Sequence, residues 1–249
     1  MMGILDGKVA IVTGGGKGIG RAEARALAKE GASIVIADYG DTAATVDEIR
    51  SFGGRALGVH CDVRDEAMVA DAVAATIAEF GRIDILVNNA QILIKPHPME
   101  TWTLSEMKDQ LESGPIGTWL FMKACFPHMK ERGGRIINTC SACGHGYVAG
   151  TSGYAAAKEG IRALTRYAAR EWGVHGICVN VIAPASVSPG ADRVMDAEME
   201  QRLLASKAIK RWGDAEKDVG RTVVFLAGPD SSYITGDTIS INGGGAMLV

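Results

Sequence analysis

The sequence predicts an α/β fold, a doubly wound parallel sheet of about seven strands with helices on both faces. Three observations predict it. Short apolar runs alternate with longer helical patterns from one end of the chain to the other. The runs are β-branched and almost continuously apolar, as expected of strands covered on both faces. The first run passes through a glycine-rich turn directly into a helical pattern, a strand–turn–helix unit.

The expected strands cover residues 8–13, 33–37, 55–61, 83–87, 134–139, 177–182 and 238–241. The helical patterns between them cover 18–29, 42–52, 66–80, 104–111, 116–131, 153–172 and 215–226. The pattern at 153–172 is alanine-rich and free of proline, and it closes with Gly173. Gly114-Pro115 interrupts the helical region after the fourth strand and should break or kink it, since proline lacks an N–H and crowds the preceding turn. Two stretches read as irregular, 91–103 after the fourth strand and 184–196 after the sixth. Both leave the carboxyl edge of the sheet, where ligands bind in this architecture, so 91–103 and 184–212 are the expected walls of a substrate pocket.

The 249 residues allow one large domain or two small ones. No internal repeat, low-complexity tract or proline-rich linker divides them, which favours one domain over 1–249. An apolar content of 47% and a charged content of 22% are ordinary for a globular protein. The net charge of −3, with no cluster of Lys and Arg, argues against nucleic acid or an anionic membrane as partner. No basic-then-apolar leader opens the sequence, and no apolar stretch approaches the 18 or so residues of a membrane span. The expected location is the cytoplasm. The five cysteines, an odd number, read as free thiols in a reducing compartment. Cys140 and Cys143 form a C-x-x-C, open to redox, half-zinc-site or buried-thiol readings; no second pair accompanies it. The histidines show no metal-ligand spacing, and no catalytic metal is expected.

The turn after the first strand runs Gly14-Gly15-Gly16-Lys17-Gly18-Ile19-Gly20. Glycines here allow a tight turn and let backbone N–H groups approach a pyrophosphate at a helix N-terminus. The spacing is G-x-x-x-G-x-G, not the general G-x-G-x-x-G. Asp38, at the end of the second strand, can accept hydrogen bonds from adenosine ribose hydroxyls and would repel a 2′-phosphate. Tyr39 brings no compensating charge, whereas Lys17 could bind a phosphate, so NAD is favoured over NADP.

Tyr154 and Lys158 stand one helical turn apart on the same face of the 153–172 helix, with Ser141 upstream. A nearby ammonium favours the phenolate, and each pKa unit is worth about 1.4 kcal/mol. The pair is thereby suited to exchanging a proton with an alcohol or carbonyl oxygen. A snorkelling lysine on an amphipathic helix is the plain alternative.

Together these motifs resemble the short-chain dehydrogenase/reductase family, in its single-domain branch with a Rossmann-type sheet. Thr13-Gly14, Gly18 and Gly20 match its cofactor turn, and Asp62-Val63 its adenine-contacting pair. Asn88-Asn89-Ala90 matches the motif after the fourth strand, and Ser141, Tyr154 and Lys158 the catalytic residues. Arg211-Trp212-Gly213, Thr235-Gly236-Asp237 and Gly243-Gly244 resemble the C-terminal segments. The resemblance implies that Tyr154 exchanges the proton, that Lys158 depresses the tyrosine pKa and binds the nicotinamide ribose, and that Ser141 holds the substrate oxygen. It implies cofactor contacts from Gly14, Lys17, Gly18, Ile19, Gly20, Asp38, Asp62, Val63, Asn88, Ala90, Tyr154, Lys158, Pro184 and Val187, and a homotetramer built on helices 116–131 and 153–172.

Three positions depart from the family pattern. Gln91 replaces the glycine of Asn-Asn-Ala-Gly, Gly114 aligns with the asparagine of a water-mediated proton relay, and Pro184-Ala185 replaces Pro-Gly. Ser113 or a displaced water could serve the relay, or the relay is absent. These departures, with the sequence around Tyr154, resemble a branch that includes bacterial 12α-hydroxysteroid dehydrogenases. That implies an NAD(H)-dependent oxidoreductase acting on a hydroxysteroid or another bulky alicyclic secondary alcohol, with Gln91, Ser141, His145 and Tyr147 as candidate substrate contacts. Apolar residues Ile92, Leu93, Ile94, Met99, Trp102 and Val187 in the edge segments are compatible with such a substrate. The alternatives are an NADPH-dependent ketone or 3-ketoacyl reductase and a catalytically silent dinucleotide-binding protein.

Overall fold

The structure, a computed structural model, describes residues 3–141, 148–187 and 197–246. Seven parallel strands form one sheet in the order β3-β2-β1-β4-β5-β6-β9. They are β1 Val9–Thr13, β2 Ser33–Asp38, β3 Ala56–His60, β4 Ile85–Asn88, β5 Gly134–Thr139, β6 Ile177–Pro184 and β9 Thr238–Ile241. The order reverses between β1 and β4, whose carboxyl ends therefore open a crevice, the usual ligand site of a doubly wound sheet.

Helices α1 Gly18–Lys29 and α8 Arg221–Ala227 cover one face. Helices α3 Glu66–Phe80, α5 Gly117–Met129 and α6 Ser152–Trp172 cover the other. Because side chains alternate along a strand, Val12, Val87, Ile137 and Ile182 pack toward α1 and α8, while Ile11, Leu86, Ile136 and Val179 pack toward α3, α5 and α6. A strand buried on both faces has no polar side to show, which is why the apolar runs are continuous.

The Gly114-Pro115 pair interrupts the α register as expected, but the chain's helical course continues through it. Helix α4 Leu104–Leu111 continues through a π turn, Glu112–Ile116, into α5. The wider turn accommodates the proline, and such turns recur at functional sites. The expected helix at 215–226 is likewise a π turn, Ala215–Gly220, followed by α8. Within the stretch 184–196, expected to be irregular, the described residues Ser186 and Val187 form a short strand. β7 Ser186–Val187 pairs with β8 Gly213–Asp214, and α7 Ala197–Ser206 lies between them. Helix α2 Ala43–Ser51 completes the β2–β3 crossover. Among the described residues no helix is long and apolar enough to cross a membrane, and no group of three or more His, Cys, Asp or Glu side chains could hold a metal.

Candidate active site

The glycine turn sits against the end of β4. Gly14 and Gly18 have φ of 65° and 63°, backbone that other residues rarely adopt. A Cβ on Gly20 would fall 2.4 Å from the Gly14 carbonyl oxygen and 2.5 Å from Asn89 Nδ2, so turn and helix can approach only without side chains. Asn89 fastens the two segments: its Nδ2 donates to the carbonyls of Thr13 and Gly14 at 3.1 and 3.2 Å. Thr13 Oγ1 in turn accepts from the N–H groups of Asn89 and Ala90 at 3.0 and 3.1 Å. Lys17 is the N-cap of α1 and makes no side-chain cap bond. The N–H groups at the start of α1 therefore form a side-chain-free, electropositive cradle that fits the diphosphate of a dinucleotide.

Asp38, at the end of β2, stands beside the glycine turn. Its two oxygens accept from Gly16 N and Gly40 N, each at 2.8 Å, which fixes the carboxylate at the mouth of the cradle. The nearby Arg21 is committed to Glu48 at 2.5 Å. The exposed Tyr39 ring packs on His60, with centroids 5.3 Å apart. Asp62 is clamped by Arg64, whose Nη2 lies 2.7 Å away and whose Nη1 also reaches Asp109 at 3.0 Å. That hydrogen-bonded ion pair holds the Asp62 carboxyl below the usual carboxylate range. Thr13, Val63, Asn88, Ala90, Ser113, Gly117 and Thr118 line a narrow crevice beside it. The Asn88 side chain points away from the cradle: its Nδ2 donates to Asn138 Oδ1 at 2.9 Å, and Asn138 Nδ2 donates to Thr165 Oγ1 at 2.9 Å.

On the opposite wall, α6 presents Tyr154 and Lys158. Lys158 is almost fully buried, and its Nζ donates to the Thr139 carbonyl at 2.8 Å. The same ammonium lies 5.4 Å from the Tyr154 ring centroid. Ser141, also buried, follows β5 by two residues, so strand end and helix bring all three residues to one carboxyl edge. Between them the Cys140 thiol faces the Lys158 and Ser141 carbonyls, at 3.4 and 3.5 Å, and burial raises its pKa. Cys143, His145 and Tyr147 lie outside the described residues, as does 188–196; of Val187 the structure describes the backbone.

Gln91 lies between these walls. Its Nε2 donates to the Gln110 carbonyl at 3.0 Å and approaches Gln110 Oε1 and Ser113 Oγ at 3.2 and 3.4 Å. Ser113 Oγ accepts from Ile92 N at 3.1 Å and donates to the Asp109 carbonyl at 2.6 Å. Gly114 leaves the room that the Gln91 carboxamide fills, since a Cβ there would stand 2.8 Å from Gln91 Oε1 and 3.1 Å from Ala157 Cβ. Trp102 packs its ring on Gly153, directly beside Tyr154.

Sequence reasoning did not single out Thr139, Gln110 or Asn138. Thr139 acts through its backbone carbonyl, which leaves no residue-type signal. Glu23 does carry a sequence signal: it shares a helix face with Ile19 and Leu27, where an acidic residue faces the core.

Residues 14–245 match the family model described as Enoyl-(Acyl carrier protein) reductase. The chain belongs to the short-chain dehydrogenase/reductase family. Members bind a nicotinamide dinucleotide, and this chain is an oxidoreductase acting on CH–OH groups. A 12alpha-hydroxysteroid dehydrogenase of Clostridium sp. is 40% identical over 254 residues, covering 98% of each chain. Among solved structures, a blue fluorescent protein from a metagenomic library, in complex with NADPH, superposes with a TM-score of 0.90 at 35% identity, covering 98% of this chain and 99% of that one. Carveol dehydrogenase from Mycobacterium avium, in complex with NAD, gives a TM-score of 0.90 at 29% identity with the same coverage. The expected family resemblance and Rossmann-type fold are both borne out.

Proposed function

We propose that this short-chain dehydrogenase/reductase, acting as one domain over 1–249, interconverts a secondary alcohol and a ketone with NAD(H), and that its substrate is a hydroxysteroid or comparably bulky alicyclic alcohol. The observation that carries the NAD preference is the Asp38 carboxylate, held by Gly16 N and Gly40 N at the mouth of the cradle. Its remaining lone pairs suit ribose hydroxyl donors, and its charge opposes a 2′-phosphate. Lys17 favours the second reading, an NADPH-dependent reductase, and the NADPH-bound relative keeps that reading in play.

The bound nicotinamide would supply or accept the hydride. The α1 N-terminus would hold the diphosphate, and Asp62, Val63, the backbone at Asn88 and Ala90, and Pro184 and Val187 would contact the rest of the cofactor. Ser141 Oγ holds the substrate oxygen, and Tyr154 exchanges its proton with that oxygen. Lys158, fixed by the Thr139 carbonyl, supplies the positive charge that favours the phenolate. The apolar wall at Trp102, together with the hydroxysteroid dehydrogenase relative, supports a bulky apolar substrate. Ile116, Trp119 and Tyr167 expose apolar surface on and beside α5 and α6, which supports a homotetramer through those helices.

The test is the initial rate of dinucleotide reduction, comparing NAD with NADP across hydroxysteroids and simpler cyclic alcohols. NAD-linked oxidation of a hydroxysteroid is the expected outcome. Activity confined to small alcohols overturns the steroid assignment, and a strong NADPH preference overturns the role given to Asp38.

A further inference from the structure

Behind the catalytic wall lies a carboxyl that the chemistry above does not use. Glu23 is wholly buried on α1, and neither of its oxygens has a hydrogen-bond partner. An orphaned buried carboxyl costs several kcal/mol unless it is neutral or finds a partner. It lies one helical turn beyond Ile19, which packs against the cluster of Leu27, Ile137 and Ile182. Two residues after Ile137 on the same strand, Thr139 faces that same layer, and its hydroxyl is also buried without a partner. The Thr139 carbonyl, in turn, carries the Lys158 ammonium at 2.8 Å. Orphaned acceptor groups thus stand on the α1 side of the strand end that holds Lys158.

The charges around α1 are arranged to leave this interaction intact. Arg21 and Arg25 pair with Glu48 of α2. Arg25 and Lys29 pair with Glu216 of the π turn before α8, and Asp218 of that turn pairs with Arg211. Arg221 of α8 pairs with Glu30, and Asp38 of β2 with backbone N–H groups. These charges are held in pairs of their own. Burial disfavours the ionised form of Glu23, and the Lys158 ammonium favours it.

We propose that Glu23 is a positioning residue for the catalytic pair, acting on Lys158 from behind the sheet: neutral, it leaves the field of the ammonium on Tyr154, and ionised, it draws that field away. The inference rests on Tyr154 and Lys158 being the proton-transferring pair. Burial pushes the Glu23 carboxyl up to about 8, so the change falls at mildly alkaline pH. Ionised Glu23 and a Tyr154 phenolate are like charges sharing one counter-ion, so each opposes the other's ionisation.

The experiment is an ultraviolet difference titration of the full chain without substrate, in which Tyr154→Phe is subtracted to isolate the Tyr154 phenolate. It is repeated with Glu23→Gln, and with Glu23→Leu as a second variant, each checked for folding by circular dichroism. Removing the carboxyl should lower the Tyr154 midpoint by roughly half a pH unit to one. An infrared carbonyl band from protonated Glu23 should fade with a midpoint near 8 and be missing from Glu23→Gln. Unchanged Tyr154 midpoints in both variants, or a carboxyl band already lost at pH 6, overturns the proposal. Because neither readout needs turnover, a full chain inactive on every alcohol tested would sink the catalytic reading while the titration still decides the coupling.

Discussion

Gln91 Nε2 donates to the Gln110 carbonyl at 3.0 Å, tying the end of β4 to the point where α4 gives way to the π turn that holds Pro115. Gly114 leaves space for the carboxamide, so two of the departures from the family pattern, Gln91 and Gly114, form one packing arrangement. Replacing Gln91 by Leu keeps the bulk and removes the donor. It should destabilise the protein by about 1–2 kcal/mol, read from urea unfolding. An unchanged midpoint would mean that the hydrogen bond contributes nothing.

The same contact predicts coupling. Gly114→Ala alone should be destabilising, because its methyl would meet Gln91 Oε1 at 2.8 Å. In a Gln91→Ala background the carboxamide contact is gone and the approach to Ala157 Cβ remains, so part of the loss should disappear, with a coupling energy of about 0.5 kcal/mol or more. Strict additivity of the two changes would show that the residues do not compete for the same space.

Most of this organisation was legible in the chain. Continuous apolar runs such as 8–13 and 177–182 become strands because burial on both faces leaves no other periodicity, and Tyr154 and Lys158 meet because four residues make a turn. The rest depends on backbone groups, which residue type alone does not announce. The π turn at Glu112–Ile116 is a local change of backbone register, while the β7–β8 pair and the Lys158–Thr139 bond draw on backbone from distant segments. Glu23 differs, since an acid on the core face of α1 breaks the expected pattern openly.

Asp38 should decide the cofactor. On the proposed NAD reading, the carboxylate held by Gly16 N would meet the adenosine ribose hydroxyls, so Asp38→Ser should weaken NAD by removing a ribose acceptor and relieve repulsion of NADP. The ratio of kcat/KM for NAD over NADP should fall about tenfold or more, on the order of 1.4 kcal/mol. A ratio that stays constant would place the selectivity elsewhere in the cradle.

Tyr154→Phe removes the exchangeable proton and keeps the ring against Lys158. Turnover should drop by roughly 10²–10⁴, the range for a general acid–base group, while NADH affinity measured by fluorescence stays within a few fold. Lys158→Ala should lower turnover and also weaken NADH, because the proposed ribose contact goes with it. Equal loss of NADH binding in both variants would indicate a collapsed site, not missing chemistry.

Glu23 should make the protein less stable as the pH rises. Its folded pKa of about 8 lies above the ordinary 4.5. Below pH 4.5 both folded and unfolded chains hold the proton, and the group has no effect on stability. Between 4.5 and 8 the unfolded chain releases its proton while the folded chain keeps it, so the unfolded state binds fewer protons and stability declines. Above 8 both states are ionised and the penalty, on the order of several kcal/mol, is complete. Glu23→Gln abolishes the titration without changing shape, so its advantage over the natural chain should widen from pH 5 to pH 9 in urea unfolding. A difference that stays flat across that range would mean that Glu23 ionises in the folded protein as readily as in the unfolded one.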